Sequence, residues 1–539
     1  MKRTTISLIA TTVALAAITG FAALTAPDGG SSAEAEAAAR LPVERSSLLC
    51  PAPSSSEIAE TAYTSFTPAG KTADAKDGDA KDGAAKDGAA KDGAAELKPS
   101  AATLADPGTA PKKDEAKKKD TAKGGAGKDG AAPGAKKPVP DKAVLALKEP
   151  GKPVAAKAGG GEAPALVGTA TGRLAPGWTA QQTTTVPVGG SRGVLGVSCT
   201  APDTDFWFPG ASTAENRQDY VHLTNPDPTA AVADIELYGK DGALKTTLTE
   251  GIPVPAGSSV PVLLSTLTAE PAADLTVHVT TRTGRVGAVV RAADDKTGSD
   301  WLAASADPSD TAVLPGIPAD ATSVQLVAFA PGDDDADLKV QLAGATGRIT
   351  PAGHETLHIK SGMTAAVDLK DVTKGEAGSL ILSPAQSSGT TPVVAALRVV
   401  RGKGDKQEVA FIPATAPVGE RATAADNRAK GSILSLTAPD GGAQVKVTAS
   451  AGTEGGTQAV KTYTVKAGTT LAVAPPVPDG LKGSYALTVE TVSGGPVHAS
   501  RTLTLPQDGI PMFTVQTLPD DRGTVAVPEA EQDLSVLDD

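Results

Sequence analysis

At 539 residues the chain is long enough for several domains, and its apolar fraction of 40% is ordinary, but aromatic residues make up only 3%, which favours short β-branched strands over large cores. The formal charge of -12 is spread along the chain without a basic stripe, which excludes the phosphate neutralisation that nucleic-acid binding requires. Two cysteines exclude both a disulfide-dense scaffold and a zinc ribbon.

Met1-Lys2-Arg3 leads into Thr4–Ala26, an uncharged run carrying Ile6, Leu8, Ile9, Val13, Leu15, Ile18, Phe21 and Leu24 that is long enough to cross a bilayer. Lys2 and Arg3 would stay inside and send the rest of the chain out. Residues 1–26 are therefore read as a signal peptide or membrane-anchor helix. The protein is expected to be extracytoplasmic, held at the cell membrane by that helix or secreted after cleavage. Thr25-Ala26-Pro27 puts proline where a signal peptidase would cut, which favours an anchor that is kept.

Residues 27–69 form an N-terminal segment holding Cys50, and residues 70–165 read as a disordered linker. The linker repeats Lys-Asp-Gly-Ala-Ala at Lys81–Ala85, Lys86–Ala90 and Lys91–Ala95, then turns Lys-, Pro- and Gly-rich. It offers almost nothing to bury, so ordering it would cost backbone entropy without compensation. Lys112, Lys113 and Lys117–Lys119 offer a basic patch for a wall polymer, but interleaved acids favour a solvated spacer. Cys50 and Cys199 flank this segment and are predicted to form a disulfide in an oxidising compartment.

The stretch Cys199–Gly210, with Phe206-Trp207-Phe208, marks the change from low complexity to globular sequence. Downstream a pattern recurs about every 105 residues, a period that suits tandem β-sandwiches. Each copy opens with a strand ending at a proline turn: Val221–Pro226, Leu326–Pro331 and Leu434–Pro439. An alternating strand follows, such as Ile235 and Leu237 against Asp234 and Glu236, and then an Ala-Gly turn at Ala256-Gly257, Ala352-Gly353 or Ala467-Gly468. Each copy closes on an arginine, Arg291, Arg398 or Arg501, read as an exposed cross-strand partner. The predicted fold is all-β: three tandem immunoglobulin-like β-sandwich domains, at 166–305, 306–405 and 406–505, after the hydrophobic helix and the linker. Residues 506–539 read as an acidic tail with one strand near Met512–Val515.

Over roughly Cys199–Thr504 the chain resembles an actinobacterial family of exported proteins known only as a domain of unknown function. The resemblance runs through Phe206–Gly210, the turn Val254–Gly257, Gly298-Ser299-Asp300-Trp301-Leu302 and the closing arginines. It implies the tandem-sandwich architecture and brings no activity or ligand with it.

Several stretches carry candidate chemistry. His354-Glu355-Thr356-Leu357-His358 spells the zinc-peptidase motif, which works when a helix brings both histidines onto one face. Here it follows Pro351-Ala352-Gly353 and aligns with strand-like stretches at Ser258–Val260 and Thr469–Leu471. In an extended strand the two imidazoles would lie roughly 13 Å apart, too far for one zinc, so a chance match is favoured. Glu376 stands at a tolerable distance for a third ligand, but Gly375 and Gly378 around it suit a turn. Phe206, Trp207 and Phe208 would serve either as a sugar platform or as core, and scarcity of aromatics favours core, as it does for Trp178, Trp301 and Tyr238. Asp333-Asp334-Asp335 with Asp337 suits a solvated turn better than calcium. His222, His278 and His498 fall in strand patterns, and there is no Gly-x-Ser-x-Gly elbow or phosphate-cradling loop. The sequence therefore predicts a non-enzymatic scaffold or adhesion protein of the bacterial cell envelope with no cofactor. Its partner would be an envelope protein or wall polymer; a zinc peptidase or a carbohydrate-binding module are the alternatives.

Overall fold

The structure, a computed structural model, describes residues 39–70, 93–102, 142–247, 250–386 and 390–527. The predicted membrane helix and most of the predicted linker lie outside them. Among the described residues there are β-strands and two short 3-10 turns, Gly172–Leu174 and Leu264–Thr266, and no helix long and apolar enough to cross a membrane. Contacts divide the chain into Pro42–Thr524 and a second unit of Met1–Leu41 with Val525–Asp539. What is described of the second unit belongs to a ribbon in which Ala39–Pro42 pairs with Thr524–Val527.

Within Pro42–Thr524 the larger sheets fall into four pairs, each pair sharing one buried core. All four follow one plan. In the fourth copy one sheet runs Arg421–Asn427, Tyr485–Gly494, Ala443–Gly452, Ala459–Val465, and the other runs Phe513–Thr517, His498–Thr504, Ser432–Ala438, Thr469–Val473. Counted along the chain, the sheet orders are first, sixth, third, fourth and eighth, seventh, second, fifth. Copies two and three repeat this plan between Asp205 and Leu302 and between Ala312 and Pro413, with the fourth strand split in two.

The remaining copy is a correction to the sequence reading. Arg45–Cys50, Leu166–Thr171, Ala95–Pro99 and Leu145–Leu147 form its first sheet; Gly193–Ser198, Thr179–Val186, Glu60–Phe66 and Val154–Gly159 form its second. The sandwich expected at 166–305 is thus the end of one copy and the whole of the next, and the range 70–165 is not all linker. Its two ends carry strands of the first copy, and Ala101–Ala102 adds in parallel to Ser258–Leu263 of the second. These strands are short and Ala-rich, and they still close a core of Leu48, Tyr63, Leu97, Leu145, Leu166 and Trp178. The fourth sandwich likewise runs past 505, because Phe513–Thr517 is its eighth strand rather than part of a tail.

Alternation explains the strand faces where it is regular. In Ala231–Gly239 the residues Ala233, Ile235 and Leu237 are buried, while Asp234 and Glu236 on the other face are more exposed. The Cys50–Cys199 disulfide is formed, joining the first strand of the first copy to the residue just after its eighth. Beside it Leu49 and Thr200 exchange backbone hydrogen bonds of 2.8 and 3.0 Å. A disulfide of this kind persists in oxidising surroundings.

Candidate functional site

The predicted site residues are scattered. His354 lies in a turn and Glu355 in a bend, and His358 sits in the strand Thr356–Ile359, paired with Asp337. The helical turn that would bring both imidazoles to one metal is not formed. This strand is not the counterpart of Ser258–Leu263, as the sequence alignment had it; Thr364–Asp368 takes that place in the third copy. His358 Nδ1 stands 2.8 Å from Asp337 Oδ1, and Asp335 Oδ1 accepts from the Ser361 N–H at 2.9 Å. Glu376 follows a turn that ends at Gly375. Among the described residues no group of three or more His, Cys, Asp or Glu side chains is placed to hold a metal ion.

Phe206, Trp207 and Phe208 are buried, as are Trp178 and Trp301. Phe206 and Phe208 enter the second core, while Trp207 points the other way and stacks on His278 with centroids 3.6 Å apart. It also meets Phe329 of the third copy at 5.4 Å, so the ring belongs to the seam between two sandwiches. Tyr238, half-buried, packs there too, 4.7 Å from Phe329.

What the fold does bring together is its four eighth strands. Gly193–Ser198, Gly298–Leu302, Glu408–Pro413 and Phe513–Thr517 each pack against the next, and the last packs against the first, so the four sandwiches close a ring. Two buried carboxyl groups lie in this junction. Asp300 Oδ1 accepts from Gly196 N at 3.0 Å and from Thr514 Oγ1 at 3.2 Å, tying the second copy to the first and the fourth. Glu408, from the third copy, has a fully buried side chain whose charged partner is Arg192 Nε at 3.9 Å. Its oxygens occupy space that only glycine leaves open at 193 and 298: a Cβ on either residue would come within 2.9 Å of them. Arg192 Nη2 also donates to the carbonyls of Gln407 at 2.6 Å and Lys296 at 2.8 Å.

Burial raises Asp300 well above the usual carboxylate range despite its bonds to Trp301 N and Gly196 N. Burial likewise pushes Glu408 up to about 9, with Arg192 opposing and Asp300 adding. The physical cause is the loss of solvation for a charge in a dry interior.

The seams between copies differ in chemistry. Trp301 packs with Leu195 and Val197 of the first copy, Val409 and Phe411 with the second core, and Phe513 and Val515 with the third. The closing seam between copies one and four is more polar. Gln181 Oε1 accepts from Asp426 N at 2.9 Å and from Arg501 Nη2 at 3.4 Å, and Thr183 donates to Asp426 at 2.7 Å. Arg501 is fully buried, also bonded to Gln516, and burial pulls its guanidinium down to about 10.

The closing arginines are therefore not exposed, which corrects the sequence reading. Each sits in a seventh strand beside the eighth: Arg291 pairs with Trp301, Arg398 with Phe411, Arg501 with Gln516. Arg291 lies 5.2 Å over Tyr220, and Arg398 donates to Thr297 at 3.1 Å and faces Asp294 at 3.6 Å.

Compared with known sequences, residues 154–476 match the family of unknown function DUF5719. The chain belongs to that family. The DUF5719 match begins at the fifth strand of the first sandwich and ends just after the fifth strand of the fourth, three full periods of the repeat. In this chain the folded unit extends past the match on both sides, since the strands Arg45–Cys50, Glu60–Phe66, Ala95–Pro99 and Leu145–Leu147 complete the first sandwich, and Tyr485–Gly494, His498–Thr504 and Phe513–Thr517 complete the last. Nothing among the curated proteins or the solved structures matches the chain.

Sequence reasoning passed over Glu408 and counted Asp300 as framework. A signal was present: each is an acid inside an otherwise apolar or small-residue strand, Glu408-Val-Ala-Phe-Ile-Pro413 and Gly298-Ser-Asp300-Trp-Leu302. Chemically Asp300 ties strands of three sandwiches together through its hydrogen bonds, while Glu408 fills the space beside Gly193 and Gly298.

Proposed function

We propose that the chain is a non-enzymatic extracytoplasmic scaffold or adhesion protein of the bacterial cell envelope. The observation that carries this reading is the ring of four eighth strands, whose ionisable and polar side chains are spent on joining sandwiches. A body welded this way presents several sheet faces and loop ends in fixed relation, which suits holding partners in place. The Cys50–Cys199 bridge suits an oxidising compartment, and the uncharged run Thr4–Ala26 behind Lys2 and Arg3 suits export, with the helix kept as a membrane tether or removed. The finer family reading, exported actinobacterial proteins built of immunoglobulin-like repeats, rests on the sequence resemblance and agrees with this placement.

The test is two-part. A reporter enzyme active only outside the cytoplasm, fused after Asp539, should be active, and in-cell cross-linking should capture one recurring envelope protein or wall polymer. An inactive reporter would remove the extracytoplasmic reading, and cross-linking that captures nothing recurrent would remove the scaffold.

A further inference from the structure

A cavity of about 440 Å³ opens on the second sandwich, lined by Thr213, Arg217, Tyr220, Thr268 and Glu270 among others. It lies within the range of roughly 300–1,000 Å³ typical of small-ligand sites. Its two walls are the loop before the strand Tyr220–Thr224 and the loop after the strand Ser258–Leu263. These walls are fastened to each other: Thr213 N donates to Ala272 O at 2.8 Å, and Ala272 N donates back to Thr213 Oγ1 at 3.0 Å.

Part of the lining is fixed before any ligand arrives. Arg217 grips Asp219 through Nε at 3.0 Å and Nη2 at 2.7 Å, and Asp219 also accepts from Ser212 N at 2.8 Å. The Tyr220 ring is held from one side by Arg291. Because Asp219 offsets the charge of Arg217, the remaining charged groups of the lining are the exposed acids Glu215 and Glu270. That balance repels phosphates and carboxylates. The mixture of an aromatic ring, hydroxyl groups, a planar guanidinium and carboxylates matches a ligand with apolar C–H faces and many hydroxyls.

We infer that this cavity binds a short uncharged saccharide, with Tyr220 as the stacking ring and Glu270 as a hydrogen-bonding group. The inference goes beyond the scaffold reading and does not depend on where the protein resides. It also moves sugar recognition away from Phe206, Trp207 and Phe208, which are buried.

The test titrates the full chain with triacetylchitotriose, cellotriose, mannotriose and maltotriose, and with an oligomer of glycerol phosphate as the anionic counterpart, by calorimetry and saturation-transfer NMR. At least one uncharged trisaccharide should bind with Kd on the order of 1 mM or tighter, and Tyr220→Ala and Glu270→Gln should each weaken it on the order of tenfold. Glu270 is exposed, so Glu270→Gln reads binding without disturbing the core, and unchanged circular dichroism confirms each variant is folded. No binding by any of the four sugars, binding indifferent to both substitutions, or preference for the glycerol phosphate oligomer would each overturn the proposal.

Discussion

Replacing Glu408 with glutamine keeps the shape of the junction and removes its ionisation, which makes the energetic cost of the buried carboxyl measurable. In the folded chain burial holds this group near 9, against an ordinary value of 4.5 when the chain is unfolded. The sign follows from proton counting. Between pH 6 and 8 the unfolded carboxyl is ionised while the folded one keeps its proton, so the folded state binds more protons and stability falls as pH rises. The loss is about 1.4 kcal/mol per pH unit, or about 2.7 kcal/mol across that window. Glu408→Gln lacks this titration, so its stability relative to wild type should rise by that amount from pH 6 to pH 8. Urea unfolding of both proteins at the two pH values, with the disulfide intact, reads the difference directly. If both lose or gain stability in parallel, Glu408 is solvated or fully paired in the folded state and the account of the junction is wrong.

Other perturbations test other parts of the structure. In Gly196→Ala the new methyl would stand 2.5 Å from Thr514 Cγ2, so the variant should lose about 1–3 kcal/mol, with part recovered in the Gly196→Ala/Thr514→Ala double variant; additive losses in a double-mutant cycle would rule out that contact. Removing the disulfide as Cys50→Ala/Cys199→Ala opens a loop spanning 149 residues and should lower stability by up to about 5 kcal/mol in the chain-entropy account, so an unmoved denaturation midpoint would contradict it. Burial, helped by Arg291, holds His222 down to about 3, against an ordinary 6.5. Its folded form therefore stays neutral, and wild type should lose about 1.4 kcal/mol per unit as pH falls below 6.5, a slope that His222→Gln should lack in acid titrations. Trp207→Ala should cost about 3–5 kcal/mol through the cavity it leaves at the seam, and it should leave saccharide binding unchanged; weakened binding in a variant of full stability would restore the aromatic platform.

Copies two to four were largely legible because their strands alternate cleanly and no long insertion separates them. The strand around Ile235 and Leu237 is an example, and the spacing of Arg291, Arg398 and Arg501 marked a true structural period. The exposure assigned to those arginines failed because Arg398 and Arg501 meet groups of other sandwiches, Thr297 and Gln181, that lie far off in the sequence. The first copy was hidden for a different reason. The Lys-Asp-Gly-Ala-Ala run falls between its second and third strands and the Lys/Pro-rich run between its third and fourth, so windows of local composition dilute Ala95–Pro99 and Leu145–Leu147. The junction escaped because Gly196, Asp300, Glu408 and Thr514 stand about a hundred residues apart, and periodicity reports only neighbours along one strand. The cavity escaped likewise, since Thr213 and Ala272 meet only after folding.

The unit Pro42–Thr524 starts and finishes at one place: Val43 N donates to Gly523 O at 3.2 Å. Circular permutation is therefore geometrically open to it. A gene that joins those ends with a few glycines and begins instead between the strands Glu60–Phe66 and Ala95–Pro99 would keep every strand pair of the four sandwiches and give up only the ribbon of Ala39–Pro42 with Thr524–Val527. The order in which the four modules leave the ribosome is then separable from the architecture they reach.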